Sequence, residues 1–338
     1  MTDFDQDGPG MGEGLFGIPD SPEAAVAVIA VPWEATASYG RGTANGPRAI
    51  EAASQQVDLF DLEYGPIWKQ GISWFEASGD IEAWNREASA LALPIIEAGG
   101  VGEEPERMKD AAKVDLLAHR RDVAVCDAAM EILDQGRIPS VLGGDHSSPL
   151  GLLRAVGKRH PGIGVLHIDA HADLRGAYLG FQSSHASIMR SALQTPGIGP
   201  IVGVGYRDLG ESEVALIERE KERIHAFTDA DIAWQLAQGT SWASVVEQII
   251  APLPEMVHIS FDIDGLDPSL CPNTGTPVPG GLGFRDVCVL LRAIAERRRV
   301  ISFDLCEVAP AAENEWDANV GARILYKLAG CTLMSRAR

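Results

Sequence analysis

Short apolar runs, rich in β-branched residues, recur along the chain at 26–31, 140–142, 163–168, 200–204, 223–227, 256–261 and 300–303. They are too short for helices and show little alternation, the pattern of strands covered on both faces. Between them lie longer stretches in which apolar residues return every three or four positions. These predict helices at 47–54, 81–97, 116–135, 150–158, 184–193, 212–222, 242–250, 285–296 and 318–328. Strand and helix alternating over the whole length predict an α/β fold with a parallel sheet and helices on both of its faces. Residues 1–20 read as a flexible acidic tail, and Gly99 to Glu106 (GGVGEEPE) as a surface loop between helices. No internal repeat is present, so residues 21–338 are expected to form a single catalytic domain.

Composition narrows the choice of partner. A chain of 338 residues with 46% hydrophobic residues can bury a large core, and its formal charge of −20 would repel nucleic acid and anionic membranes. A small neutral or cationic ligand fits better. The five cysteines (Cys126, Cys271, Cys288, Cys306 and Cys331) are scattered, with no CxxC pair, and predict reduced thiols in a cytoplasmic protein. The first residues lack the basic and apolar regions of a signal peptide, and no run reaches the ~18 apolar residues of a membrane span.

The chemistry stands just past the strands, where ligands gather in sheets of this kind. Gly143-Gly144-Asp145-His146-Ser147 follows the run at 140–142. Asp169-Ala170-His171-Ala172-Asp173 follows 163–168, and Asp262-Ile263-Asp264-Gly265-Leu266-Asp267-Pro268 follows 256–261. In an extended chain every second residue shares a face, so Asp169, His171 and Asp173 converge, as do Asp262 and Asp264. Each motif alone has an ordinary explanation, a hydrogen-bonded histidine or a turn-forming aspartate. Together, three strand ends supply two imidazoles and four carboxylates, a charge density that calls for bound cations. Six ligands exceed what one zinc centre takes and suit two ions bridged by shared carboxylates.

In these three motifs the chain resembles the ureohydrolases, the family of arginases and agmatinases. SYGRGTANGPRAI (Ser38 to Ile50) is similar to the family's early glycine-rich loop, and DLCEVAP (Asp304 to Pro310) to its late acidic motif. The resemblance implies a three-layer α/β/α fold, an oligomer of identical chains (trimer or hexamer), and two divalent ions, manganese first and nickel as the alternative. It implies one ion on His146, Asp169, Asp173 and Asp262. The second would sit on Asp169, His171, Asp262 and Asp264, so that Asp169 and Asp262 bridge.

The reaction explains such a site. A guanidinium carbon is a poor electrophile because three nitrogens share its charge, and two ions sharing a water lower that water's pKa towards neutrality. Asp173 is expected to bind metal and also accept a hydrogen bond from the attacking water. His185, in SSHASIMR, is the candidate to hand a proton to the departing amine, and Glu307 to pair with the substrate's guanidinium. Arginases commonly carry asparagine where this chain has Arg175, and there it helps hold an α-carboxylate. The surrounding run looks more like agmatinases, which predicts a guanidino substrate without an α-carboxylate. Guanidinobutyrate, arginine and free guanidine are the alternatives. Trp316, in the stretch from Ala311 to Gly321, either narrows the pocket or belongs to the core or an interface. Outside this class stand an inactive partner subunit, disfavoured by the intact ligand set, and a zinc deacetylase, which would not need His146, Asp173 and Asp264 together.

Overall fold

The computed structural model describes residues 14–336. Eight strands form one sheet: β1 (Val26–Val31), β2 (Ile72–Phe75), β3 (Ile138–Gly143), β4 (Ile163–Ile168), β5 (Ile198–Val204), β6 (Ile224–Phe227), β7 (Met256–Asp262) and β8 (Arg299–Cys306). Their order is β2-β1-β3-β8-β7-β4-β5-β6, and every pairing is parallel. Ten α-helices cover it: α1 (Gly46–Ser54), α2 (Ile81–Glu97), α3 (Pro105–Asp134), α4 (Leu150–Arg159), α5 (Ile188–Gln194), α6 (Glu211–Arg219), α7 (Asp229–Ala237), α8 (Trp242–Ile250), α9 (Phe284–Arg297) and α10 (Trp316–Arg336).

Strand periodicity divides the interior into two cores. Val26 and Val28 of β1, with Leu166 and Ile168 of β4, join α1, α8, α9 and α10 on one face. Ala27, Ile29 and Val31, with Val165, join α2, α3, α4 and α5 on the other. Alternate residues thus enter opposite cores, which is why the runs are apolar throughout. The architecture is the three-layer α/β/α arrangement. No helix among the described residues is long and apolar enough to cross a membrane.

Several local expectations are corrected. β2 escapes the hydrophobic pattern because it is an edge strand of four residues whose second half stays partly exposed. α7 escapes because only Ile232 is buried along it, and its start is set instead by the Thr228 side chain accepting from Asp231 N–H. α3 begins at Pro105, within the expected loop and well before residue 116, since proline suits a first helical turn and the early turns are largely polar. The expected helix at 184–193 is a 3₁₀ turn, His185–Ser187, followed by α5. Residues 1–13 of the expected tail lie outside the described residues. From Gly14 the chain is not a tail: Leu15, Phe16 and Ile18 are buried in the first core, and Phe16 packs at a tilt against Tyr326, ring centroids 4.8 Å apart.

Candidate metal centre

The four central strands β3, β8, β7 and β4 run parallel, so their carboxyl ends open on one side of the sheet. β3 delivers His146 through a tight turn. A side chain on Gly144 would place its Cβ 2.0 Å from the Trp33 carbonyl, so only glycine fits there. β4 delivers Asp169, His171 and Asp173, β7 delivers Asp262 and Asp264, and β8 delivers Glu307. Asp173 and Glu307 have φ of 53° and 66°, a left-handed backbone that costs a non-glycine residue about 1 kcal/mol or more. Both side chains are aimed by strained turns that sequence pattern does not reveal.

The six predicted residues meet. His146 Nδ1 lies 3.0 Å from Asp169 Oδ2, 3.1 Å from Asp262 Oδ2 and 3.5 Å from Asp173 Oδ2. His171 Nδ1 lies 3.1 Å from Asp264 Oδ2 and 3.5 Å from Asp169 Oδ1. Asp169 therefore turns one oxygen to each histidine. All four carboxylates are buried, and His171 is partly exposed. Burial and neighbouring carboxylates push Asp173 and Asp262 well above the usual aspartate range, and Asp264 upward. Burial also works against Asp169, but His167, His146 and His171 hold it well below that range. Against burial, Asp169 and Asp264 carry His171 up to about 12. The cluster thus retains protons against its own negative charge, and a divalent cation offers the same compensation by displacing them. The donor set fits metal ions.

Behind it runs a hydrogen-bonded chain of buried side chains. With His146 Nδ1 turned to the carboxylates, Nε2 donates to Ser260 Oγ at 2.9 Å, and Ser260 donates to Asp304 Oδ1 at 3.1 Å. Asp304 Oδ2 accepts from His258 Nε2 at 2.7 Å, and Ser302 Oγ closes the chain on His258 Nδ1 at 2.7 Å. Such outer partners fix a ligand's tautomer and orientation. Despite burial, the nearby His146 and His258 imidazoles hold Asp304 down to about 2. His167 lies beside Asp169, 2.9 Å from Oδ2, and bonds Tyr206 Oη at 2.7 Å. His167, His258 and Ser260 were missed in the sequence. Their signal was available, since each stands two or four residues before Asp169 or Asp262 and so shares its face. Arg121 left no such signal. It is a fully buried arginine of α3 that donates to Ser147 Oγ and Ser147 O at 2.8 and 3.0 Å and braces the His146 turn.

The cluster opens on a pocket of about 150 Å³ that His185, Glu307, Arg175 and Tyr178 also line. Glu307 Oε1 accepts from His146 N–H at 2.9 Å, whereas Oε2 is buried without a partner. A Cβ on Gly275 would approach that free oxygen to 2.8 Å, so glycine keeps it clear. Burial and the Asp262 and Asp145 charges raise Glu307 well above its ordinary pKa. His185 Nδ1 is likewise unpartnered, and its ring meets Tyr178 edge-on at 5.7 Å. Burial and the His171 and Arg175 charges lower His185 to about 4. Arg175 lies 3.5 Å from buried Glu213 and stacks over Tyr178 at 4.8 Å. Asp267 is drawn off to cap Ser269 N–H at 2.8 Å. Trp316 does not line the pocket; it opens α10 and donates its indole N–H to Ser269 O at 3.1 Å.

A buried cluster of imidazoles and carboxylates at the carboxyl ends of a parallel sheet, beside an unpaired glutamate oxygen, has the features of a metal-dependent hydrolase acting on a cationic group. Comparison with known proteins agrees. The arginase family model matches residues 24–331. The N(1)-aminopropylagmatine ureohydrolase of Synechocystis sp. is 30% identical over 91% of this chain and 89% of its own. The arginase of Bacillus caldovelox is 30% identical over 91% of this chain and 99% of its own. The solved proclavaminate amidino hydrolase of Streptomyces clavuligerus superposes with a TM-score of 0.73 at 22% identity, covering 95% of this chain and 97% of that one, a likeness of fold. The chain belongs to the arginase family of ureohydrolases. It is a hydrolase of C–N bonds in linear amidines.

Proposed function

We propose that this ureohydrolase releases urea from a guanidino compound without an α-carboxylate, using two divalent ions. His146, Asp169, Asp173 and Asp262 would hold one ion, and Asp169, His171, Asp262 and Asp264 the other. Once bound, the ions supply the Lewis acidity that makes water a nucleophile near neutral pH. The observation that carries the reading is the free, buried Oε2 of Glu307 beside the cluster. An acceptor in this position can take two N–H groups of a guanidinium and hold its carbon over the attacking water. Asp173 accepts a hydrogen bond from that water and so orients it.

His185 completes the chemistry. At about 4 it is neutral at rest, so it acts as a shuttle: its Nδ1 takes a proton from the site and returns it to the departing amine. The absence of a carboxylate in the substrate is supported by Arg175. Its charge is engaged by Glu213 and its plane stacks on Tyr178, which leaves it poorly placed to capture a carboxylate. The test is urea release from agmatine, arginine, 4-guanidinobutyrate and guanidine after loading with manganese or nickel. Agmatine or another substrate without an α-carboxylate should exceed arginine in kcat/KM by at least ~10-fold. Arginine turning over fastest would overturn the substrate reading.

A further inference from the structure

At the end of the sheet remote from the metal cluster, basic side chains gather around a second cavity, of about 110 Å³. Arg137 stands directly before β3, Arg159 ends α4 with His160 following, Arg299 opens β8 and Arg336 ends α10. Among the described residues Asp134, bonded to Arg159, is the one carboxylate that pairs with any of them. The three arginines of the run ERRRV are used differently. Arg297 pairs with Glu247 and Glu296, and Arg298 donates to Leu253 O and Ile250 O at 2.9 and 3.0 Å. Arg299 is exposed, and its side chain makes no hydrogen bond or ion pair among the described residues. Arg336 donates from one nitrogen, to Gly136 O at 3.2 Å. Arg137 is held at all three guanidinium nitrogens, by Ala24 O, Gln135 Oε1 and Ser73 Oγ, and forms a fixed charged wall.

Helix ends give such arginines an ordinary reason. α3, α4 and α10 all finish here, and each C-terminus carries about half a negative charge that a cation offsets. With Asp134, the three ends answer about two and a half of the arginine charges. Roughly one and a half positive charges remain, on a chain whose formal charge is −20. The excess is felt locally. Burial and the charges of Arg159, Arg299 and Arg336 hold His160 below its ordinary range, and burial and Arg299 lower Arg336. An oxyanion between Arg299 and Arg336 relieves that repulsion. Guanidinium forks match phosphate geometry, and a phosphate monoester's charge of about −1.5 to −2 at neutral pH matches the excess.

We propose that this cavity binds a phosphate dianion, free or as a phosphomonoester, held by Arg299 and Arg336 against the wall formed by Arg137. Filling it stabilises the folded chain. The site is separate from the chemistry at the opposite strand ends and does not rest on the guanidino-hydrolase reading.

The test titrates metal-loaded protein with inorganic phosphate, glycerol 3-phosphate and acetate at constant ionic strength. It follows the heat of binding, the Tm and the His160 imidazole NMR resonances, assigned with His160→Gln. Both phosphates should shift the His160 resonances and raise the Tm, whereas acetate should do neither; the tighter of the two identifies the source. Arg299→Gln and Arg336→Gln should each weaken that binding about tenfold or more, the loss of one charge-assisted hydrogen bond, with metal content unchanged. Arg299 has no partner to lose, so its substitution should leave folding undisturbed. His160 resonances unmoved by either phosphate, or heats equal in the wild type and both variants, would overturn the proposal, because phosphate then binds only at the metal cluster. An equal response to acetate would overturn the assignment to phosphate.

Discussion

The two ends of the sheet's strands solve the problem of buried polar groups in opposite ways. At the amino ends, an arginine directly precedes each of β3, β6 and β8, and each is spent on backbone carbonyls. Arg137 donates to Ala24 O at 2.6 Å, Arg223 to Leu193 O and Ile198 O at 3.0 Å, and Arg298 to Leu253 O at 2.9 Å. At the carboxyl ends carboxylates crowd together, and Glu307 Oε2, Asp145 Oδ2 and His185 Nδ1 are buried with no partner. A polar group left unpaired in a folded interior costs about 1–3 kcal/mol. One end of the sheet has had that cost removed by folding, and the other retains it for a ligand to offset. Of these unpaired atoms, those of Glu307 and His185 lie on residues that line the candidate pocket.

The comparison breaks most visibly at Asp262. Asp262→Asn removes a charge proposed to be shared by two ions, and should lower activity by more than the ~100-fold that loss of an outer partner costs. Elemental analysis should find at least one ion lost per chain, and two ions still bound would contradict the shared role. His185→Asn should lower kcat by about 10²–10⁴-fold with metal content unchanged, because it is proposed to move protons and hold no ion. Loss of metal on that substitution would make His185 a ligand or a structural residue. Ser260→Ala cuts the chain from His146 to Asp304 and should weaken metal affinity about 10–100-fold, read by titration against a competing chelator.

The amino end should respond in stability alone. Arg223→Ala strands carbonyls at the start of β5 and should lower the unfolding free energy by about 1–3 kcal/mol, with metal content and kcat preserved. A denaturant melt beside an activity assay would show it. The smallest effect is at His160, just after α4, where burial and the charges of Arg159, Arg299 and Arg336 depress the imidazole below its ordinary 6.5. The unfolded chain then binds the proton more readily than the folded one. Its contribution to stability is full above pH 6.5 and is lost as pH falls below it. His160→Gln should flatten that limb of the stability curve.

How far the sequence could be read follows from the same contrast. The central strands are legible because burial on both faces makes them apolar without interruption, and five of the six candidate ligands because they recur every second residue past β4 and β7; His146 stands alone in its motif. β2 and α7 were hidden because each buries too few residues to impose a pattern. His258 shares a face with Asp262 and Asp304 opens the late acidic motif, but nothing in the pattern pairs the two across neighbouring strands. Arg121 could not be found at all, since HRRD in a helix reads as a solvent face until folding places Ser147 against it.

Metal stoichiometry tests the central claim most directly. Protein freed of metal, then saturated with manganese or nickel and washed, should retain two ions per chain by elemental analysis, with urea release appearing as the sites fill. One ion per chain at full activity, or full activity with none, would contradict the two-metal account of the carboxyl-end cluster.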